Sequence, residues 1–320
     1  MTDPLLSGED LKVTFRARGG GQARALDGAN LSVSKGEIVA IVGESGCGKT
    51  TLARTLLGLE KPIEGKVWFK GEPLEYSGRA LKRYRRQVQL VLQDPSGSLN
   101  PRHSVYEAVA EGPRVHGMAD EVGQVTRALA QAGLRPPERF FLRYPHELSG
   151  GQRQRVVIAG ALALEPEVLI ADEPVSSLDA SVRGEILALL LKLREELQLT
   201  VLVVTHDLGL AWNIADRIVV MYLGRIVEQG STEEVLSSPK HPYTKALLSV
   251  VPEIQHTESI VLAGEPPDPT RIPGGCRFHP RCQELAAGTA AAVADKCTTQ
   301  DLQILSGAAG EHQAACWLTS

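Results

Sequence analysis

One short stretch, GESGCGKTT from Gly43 to Thr51, limits the possible fold of this chain more than any other part of its sequence. It follows a continuous apolar run, IVAIV, and precedes KTTLARTLLGL, which predicts a helix. A glycine-rich turn between a buried strand and a helix lets backbone N–H groups and the positive end of the helix dipole surround bound phosphates. Lys49 would place its charge at the β- and γ-phosphates, and the Thr50 hydroxyl would ligate Mg²⁺. The sequence therefore predicts a site for a nucleoside triphosphate in an α/β fold.

The alternative to this prediction is a glycine-rich turn that binds no ligand, and the flanking strand and helix make it the weaker interpretation. Cys47 is best explained as a small side chain without a catalytic duty. The candidate residues for binding ATP and Mg²⁺ in this loop are Gly43, Glu44, Ser45, Gly46, Cys47, Gly48, Lys49, Thr50 and Thr51.

A second group of candidates follows two further apolar strands. EVLIADEP ends in Asp172 and Glu173, where the first carboxylate can reach the Mg²⁺ shell and the second can act as a general base on the attacking water. Taken alone, Asp-Glu-Pro could simply cap the end of a strand. VLVVTHD ends near His206, which could contact the γ-phosphate.

The order of apolar segments predicts how the chain is organised. The strand EVLIADE, the amphipathic segment SVRGEILALLLKLREELQL and the strand TVLVVTHD indicate a parallel sheet covered by helices. PIEGKVWFKGEPL predicts a hairpin, residues 100–165 predict a helical lobe, and the Pro- and Gly-rich residues 262–275 predict a linker.

Composition limits the functional classes. A formal net charge of −4 over 320 residues argues against a protein that coats nucleic acid through bulk positive charge. The N-terminus has no basic segment followed by an apolar one, and no run of about 18 apolar residues is present to cross a bilayer. We therefore expect a cytoplasmic protein, whose five cysteines indicate metal binding, catalysis or burial before disulfide bonds.

The segment LSGGQRQRV, from Leu148 to Val156, resembles the signature of the ATP-binding cassette (ABC) ATPases. Its own residues predict an anion-binding helix N-terminus, and Ser149 can at the same time be an ordinary N-cap. The glycine-rich loop, LVLQDP with Gln93, LSGGQ, LIADE, SSLD and THD occur in the order typical of the family, so the resemblance covers residues 10–250.

The resemblance implies a P-loop ABC ATPase domain over residues 1–250, with a RecA-like parallel-sheet core, an antiparallel β subdomain and a helical subdomain at about 94–165. It also implies a head-to-tail pair of cassettes, in which the signature of one chain faces the γ-phosphate bound by the other chain. The residues that would do so are Leu148, Ser149, Gly150, Gly151 and Gln152.

The same resemblance implies roles for four further positions. Gln93 would sense the nucleotide and connect to a membrane partner, and Asp179 would lie on the dimer seam. Ser177 stands where the family usually has Ala. Phe15 is the candidate for the aromatic residue that stacks on adenine, although a Phe of a core strand explains it equally well.

A narrower resemblance, to the oligopeptide/dipeptide importer branch of the family, rests on GESGCGKTTLAR, LQDPSGSLNPR, ADEPVSSLD, KHPYTKALLSVVP and CRFHPRC. SLNPR, EPVS and the loop around Cys47 are closer to the F-type of the two ATPase subunits. The branch implies a second ABC ATPase subunit in a heterodimer, two transmembrane permease subunits and an extracytoplasmic substrate-binding protein, with this chain on the cytoplasmic face of the membrane. Peptide is the cargo by resemblance, with nickel or another solute as the alternative. A soluble ABC protein that acts on ribosomes or DNA is the rival interpretation.

The last 70 residues predict a small cysteine-rich extension, residues 251–320. Cys276, Cys282, Cys297 and Cys316 could together hold a [4Fe–4S] cluster or Zn²⁺, or could be unligated thiols in a poorly packed tail. The branch resemblance implies the cluster, but the alanine-rich QELAAGTAAAVADK before Cys297 is longer than usual there. Cys297, the third ligand of the implied cluster, is therefore the least secure of the four, and His279 and His312 are possible substitutes.

Overall fold

The computed structural model describes residues 3–17, 20–176, 178–251, 260–302, 304–307 and 310–319. Within these residues, no helix is both long enough and apolar enough to cross a membrane. The strands are β1 (Leu6–Arg16), β2 (Gln22–Val33), β3 (Ile38–Val42), β4 (Glu64–Phe69), β5 (Glu72–Pro73), β6 (Val88–Val91), β7 (Val168–Asp172), β8 (Thr200–Val204), β9 (Arg217–Tyr222), β10 (Arg225–Ser231) and β11 (Gln313–Ala314). The α-helices are α1 (Lys49–Leu56), α2 (Gly78–Gln87), α3 (Pro95–Ser98), α4 (Val105–His116), α5 (Glu121–Gln131), α6 (Gly150–Leu162), α7 (Ala180–Leu197), α8 (Leu208–Ile214), α9 (Thr232–Ser237), α10 (Pro242–Ser249), α11 (Gln283–Ala286) and α12 (Ala294–Thr299).

The chain divides into two compact units. The first unit comprises residues 1–34, 39–74 and 205–320, and the second comprises residues 35–38 and 75–204. The C-terminal residues thus group with the phosphate loop and the N-terminal strands. The predicted domain boundary at residue 250 stays a prediction.

The first unit contains two groups of strands. β1, β2, β4 and β5 form an antiparallel sheet in the order β2-β1-β4-β5, in which β4 and β5 make the predicted hairpin. β3, β9, β10 and β11 lie in the order β11-β10-β9-β3, with β3 and β9 parallel. All five residues of β3 are buried, as expected of a parallel strand that is covered on both faces.

The second unit contains a parallel sheet in the order β8-β7-β6 and the helices α2 to α7. α4, α5 and α6 pack against one another and form the helical lobe that the sequence predicts. α7 is the predicted amphipathic helix and buries Ile186, Leu189, Leu190 and Leu193. Their spacing of three and four residues places them on one helical face.

The C-terminal residues pack on the core of the first unit. Phe278 is 1% exposed, and its ring centroid lies 5.3 Å from that of Tyr222 on β9 and 5.4 Å from that of Tyr243 on α10. Burial of one such ring contributes roughly 2 kcal/mol. The packing around Phe278 and the burial of Cys276, Cys297 and Cys316 contradict the alternative of a poorly packed tail for these residues.

Candidate nucleotide-binding site

The predicted phosphate loop joins β3 to α1 and needs its glycines. Gly43 and Gly48 have φ values of +148° and +110°, in the region that side chains rarely adopt. A Cβ atom on Gly48 would lie 2.4 Å from the carbonyl oxygen of Ala25, and one on Gly43 would lie 2.3 Å from that of Met221. Two neighbouring strands therefore pack directly on the loop and fix its shape.

Lys49 lies at the first position of α1 and is 6% exposed. Its Nζ donates hydrogen bonds to the carbonyl oxygens of Gly43, at 2.7 Å, and Glu44, at 3.0 Å. Gly48 is the N-cap of α1 and brings no side chain to the N–H groups of the first turn. The loop thus combines a cation with a helix N-terminus that an anion can approach.

Cys47 is a buried residue of the loop, as expected of a packing residue. Burial raises the pKa of its thiol, and the nearby Lys49 only partly opposes that effect. A protonated thiol is a weak nucleophile, and the absence of a catalytic duty for Cys47 stays a prediction. Ser45 and Gly46 are exposed, whereas Thr50 and Thr51 are half-buried.

Two residues from the C-terminal part of the chain hold Glu44 in place. Its carboxylate accepts two hydrogen bonds from Arg281, at 2.7 and 3.0 Å, and its backbone N–H donates to the Tyr243 hydroxyl oxygen at 2.8 Å. Neither Arg281 nor Tyr243 was predicted to have a role, although they lie in the segments CRFHPRC and KHPYTKALLSVVP. The one signal in the sequence was the arginine directly before Cys282, which could have indicated a buried ion pair.

In the second unit, Asp172 ends β7 and Glu173 follows it directly. Glu173 has φ +48°, an uncommon value outside glycine, and its N–H donates to the Val204 carbonyl at 2.8 Å. The Gln93 side chain, which follows β6, donates to the Glu173 carboxylate with 3.4 Å between Nε2 and Oε2. The fold therefore brings two of the predicted catalytic residues together. Strained backbone of this kind is typical of functional positions.

The signature segment begins helix α6. Ser149 is its N-cap and Gln152 completes a capping box, with hydrogen bonds of 3.2 Å from Gln152 N to Ser149 Oγ and 3.1 Å from Ser149 N to Gln152 Oε1. Leu148 and Gly151 are buried, whereas Ser149 is exposed. The capping function is thus present, and the helix start also faces solvent, where a ligand of another chain could reach it.

The remaining predicted residues lie at separate positions. His206 is exposed and immediately precedes Asp207, the N-cap of α8, in the first unit. Phe15 is near the end of β1, opposite Ala23, and is 42% exposed. Asp179 is the exposed N-cap of α7, and its side chain makes no capping hydrogen bond. Ser177 lies outside the described residues.

The four C-terminal cysteines line one small cavity in the first unit. None of these four described cysteines forms a disulfide bond, and His241, His279 and Trp317 line the same cavity. Burial, together with the nearness of the other three thiols, raises the pKa of Cys276 to about 12. Spacing along the chain did not predict His241, which the fold brings to this cavity.

The residues around this cavity meet only one of the two requirements for holding a metal group. Four thiols around one cavity are the donor set that a [4Fe–4S] cluster or zinc requires. Among the described residues, however, no group of three or more Cys, His, Asp or Glu lies close enough together to hold a metal ion. His279, one of the two histidines predicted as substitute ligands, lines the cavity. The other, His312, instead forms a hydrogen bond of 2.7 Å between its Nε2 and Oε1 of Glu228. The four thiols therefore have the chemistry that a metal group requires, but in this structure they are not spaced closely enough to hold one.

Two family comparisons match separate parts of the chain. Residues 26–176 match the family described as ABC transporter, and residues 227–287 match the oligopeptide/dipeptide transporter, C-terminal region. Among solved structures, cbiO1 of Clostridium perfringens, part of the transporter complex cbiONQ, is 34% identical with a TM-score of 0.67, covering 74% of this chain and 92% of that one. The ATP-binding cassette MJ0796, solved as a dimer with ADP and phosphate, is 32% identical with a TM-score of 0.63, covering 71% and 98%.

Curated relatives match over a greater length. The oligopeptide transport ATP-binding protein AppF of Bacillus subtilis is 42% identical and covers 99% of this chain and 98% of its own length. The dipeptide transport ATP-binding proteins DppF of Haemophilus influenzae and of Escherichia coli are 43% and 42% identical, over 87% and 88% of this chain and 88% of each relative.

The glycine-rich loop, the acidic end of β7 and the LSGGQ helix, together with these matches, define an ATPase of the ABC transporter class. Within that class the C-terminal match at residues 227–287 narrows the family, because it does not overlap residues 26–176, which match the general ABC transporter family. The chain belongs to the family of oligopeptide/dipeptide transport ATP-binding proteins.

Proposed function

We propose that this chain binds and hydrolyses ATP for an importer that carries di- or oligopeptides across the cell membrane. The observation that carries the proposal is the identity of 42% to AppF, which extends over 99% of the chain and so includes both the ATPase domain and the tail. A general ATPase domain would account for the match to residues 26–176 but not for the match to residues 227–287.

In this proposal the phosphate loop binds ATP. The backbone N–H groups of the loop and the first turn of α1 receive the phosphates, and Lys49 exchanges its carbonyl partners for phosphate oxygens. By the family resemblance, the Thr50 hydroxyl and the Asp172 carboxylate are the groups that would hold Mg²⁺. Phe15 is the candidate for adenine stacking, supported only by its exposure near the end of β1.

Hydrolysis requires a base and a sensor. Glu173 accepts a proton from the attacking water, and the hydrogen bond from Gln93 supports this role because it directs the carboxylate. His206, exposed after β8, would contact the γ-phosphate. Gln93 would also connect the nucleotide to the membrane partner, because its own segment is exposed.

A head-to-tail dimer completes the proposed site. The exposed start of α6 at Ser149 would face the γ-phosphate held by the other cassette, and Asp179 would lie on the seam. The dimeric cassette MJ0796 supports pairing in general. By the F-type resemblance, we propose that the partner is a second, homologous ATPase subunit.

The remaining partners follow from transport. Two permease subunits would form the membrane pathway and an extracytoplasmic protein would deliver the substrate, with this chain bound at the cytoplasmic face. For the tail we propose a [4Fe–4S] cluster on Cys276, Cys282, Cys297 and Cys316, with zinc as the alternative. Their shared cavity supports the proposal. Such a group would cross-link the segment that holds Cys276 and Cys282 to the segments of Cys297 and Cys316.

Deletion of the coding sequence in the source organism tests the function. Uptake of labelled dipeptides and longer peptides should fall, and wild-type protein should restore it, whereas Lys49→Ala should not. The exposed Lys192→Ala on α7 is the matched control and should restore uptake fully. Loss of nickel uptake alone would assign a different cargo. Normal uptake of every solute, with co-purification on ribosomes, would reject transport.

A further inference from the structure

We infer that the C-terminal tail holds the phosphate loop in its ATP-binding form, with Arg281 as a positioning residue that neutralises and fixes Glu44. The inference rests on the proposed function, because it assumes that this loop binds ATP. It adds a role for the tail in nucleotide affinity that is independent of whether the cysteines carry a metal.

The ion pair between Arg281 and Glu44 is bidentate. Arg281 Nη1 lies 2.7 Å from Glu44 Oε2, and Nη2 lies 3.0 Å from Oε1. The Arg281 side chain is 5% exposed and that of Glu44 is 27% exposed. A paired guanidinium and carboxylate with two parallel hydrogen bonds fix each other in direction as well as distance. Arg281 therefore controls where the Glu44 carboxylate points.

A second contact fixes the backbone of the same loop residue. The Glu44 N–H donates to the hydroxyl oxygen of Tyr243, which is fully buried on α10. The Tyr243 ring packs on Tyr222 and on Phe278, and Phe278 lies three residues before Arg281. One aromatic cluster thus supports both the main-chain and the side-chain anchor of Glu44.

The charge of Glu44 explains why the anchor matters for ATP. The loop attracts phosphates through N–H dipoles and Lys49, whereas a carboxylate within it repels them. Arg281 cancels that charge and keeps both oxygens engaged. Without Arg281, the carboxylate would lose its ion-pair partner in the loop that receives the phosphates. The repulsion should be larger for ATP than for ADP, because ATP carries more negative charge.

Arg277 provides a matched control. It is a second buried arginine of the same tail, with a side-chain exposure of 7%. It pairs with Asp27 on β2 and donates to the Leu223 carbonyl oxygen, and neither of these partners belongs to the phosphate loop. Its loss should weaken the packing of the tail to a similar extent without leaving a charge in the loop.

The test compares ATP and ADP affinity, measured by equilibrium binding with Mg²⁺ on the full chain, for wild type, Arg281→Met, Glu44→Gln, the double variant and Arg277→Met. Arg281→Met should bind ATP about tenfold more weakly, with a smaller loss for ADP. Glu44→Gln alone should lose less ATP affinity than Arg281→Met, because it leaves no negative charge in the loop. The double variant should regain most of the lost affinity, because the unpaired carboxylate is gone.

Rescue by Glu44→Gln would show that Arg281 acts on the Glu44 carboxylate. If Arg281 only supported the packing of the tail, removing the Glu44 charge would not restore ATP affinity. The inference is wrong if the double variant binds no better than Arg281→Met, or if Arg277→Met loses the same affinity. Should Arg281→Met fold poorly, the neutral and polar Arg281→Gln, with and without Glu44→Gln, makes the same comparison. A folded wild-type chain that binds no ATP would overturn the proposed function itself, and this inference with it.

Discussion

Gln93 donates a hydrogen bond to the carboxylate of Glu173, although 80 residues separate them along the chain. The contact arises because β6 and β7 are adjacent and parallel, with Val91 opposite Ala171, so that the residues after both strands emerge at the same edge of the sheet. Glu173 is further fixed by its backbone bond to Val204 and its φ of +48°. The pair therefore places a carboxylate and its amide partner where parallel strands commonly present catalytic groups.

The first prediction concerns the proposed base. Glu173→Gln should retain ATP binding and reduce turnover by at least about 100-fold, because the amide cannot accept the proton of the attacking water. Steady-state phosphate release by the assembled complex, together with ATP binding, measures both effects.

Glu196→Gln is the control for that experiment, because Glu196 is 56% exposed on α7 and makes only a 3.7 Å surface pair with Lys192. It should have wild-type turnover. Full ATPase activity in Glu173→Gln would show that another group activates the water.

A second prediction distinguishes the two glycines of the signature. A Cβ on Gly151 would lie 2.6 Å from Val182 Cγ1, whereas one on Gly150 would have its nearest neighbour at 3.6 Å. Gly151→Ala should therefore lower the free energy of unfolding by about 1–3 kcal/mol through overpacking. Gly150→Ala should be neutral or stabilising by up to about 1 kcal/mol. Urea denaturation of both variants measures the difference, and equal stabilities would contradict the packing argument.

The third prediction concerns the thiol cavity. Anaerobically purified protein should contain about four irons with matching acid-labile sulfide, and Cys276→Ser should lose them. Cys47→Ser is the control, because this thiol is in the phosphate loop and should leave the metal content unchanged. One zinc per chain would identify the alternative site. Protein with neither metal would show that the four thiols are unligated.

A fourth prediction follows from the buried histidine of α10. Burial lowers the pKa of His241 to about 3, and its Nδ1 accepts a hydrogen bond from Tyr243 N at 3.0 Å. The unfolded state, with a histidine pKa of about 6.5, takes up a proton that the folded state excludes. The stability provided by neutral His241 is therefore complete above about pH 6.5 and is lost progressively as the pH falls towards 3.

Between about pH 7.5 and about pH 5.5, the wild type should lose about 1.4 kcal/mol more unfolding free energy than His241→Asn. Asparagine is the appropriate replacement because it can still cap α10 but does not titrate. Chemical denaturation at the two pH values provides the comparison. Parallel losses in the two proteins would mean that His241 is protonated in the folded state or reached by water.

The sequence predicted the elements whose cause is local. Consecutive apolar residues and a glycine-rich turn are sufficient to form β3, the phosphate loop and α1, and Ser149 with Gln152 is sufficient to cap α6. The apolar period of α7 likewise shows which face is buried. In each case the residues that determine the structure lie within a few positions of one another, so the order of residues contains the required information.

Only the tertiary structure shows which distant segments meet. Arg281 and Glu44 are 237 residues apart, and spacing predicts neither their ion pair nor the hydrogen bond from Glu44 to Tyr243. The convergence of four cysteines with His241 is equally non-local. Such contacts depend on how β9, α10 and the tail pack around Phe278. Sequence motifs thus determined the chemistry of the phosphate loop, whereas packing of a remote apolar cluster decided what holds that loop in place.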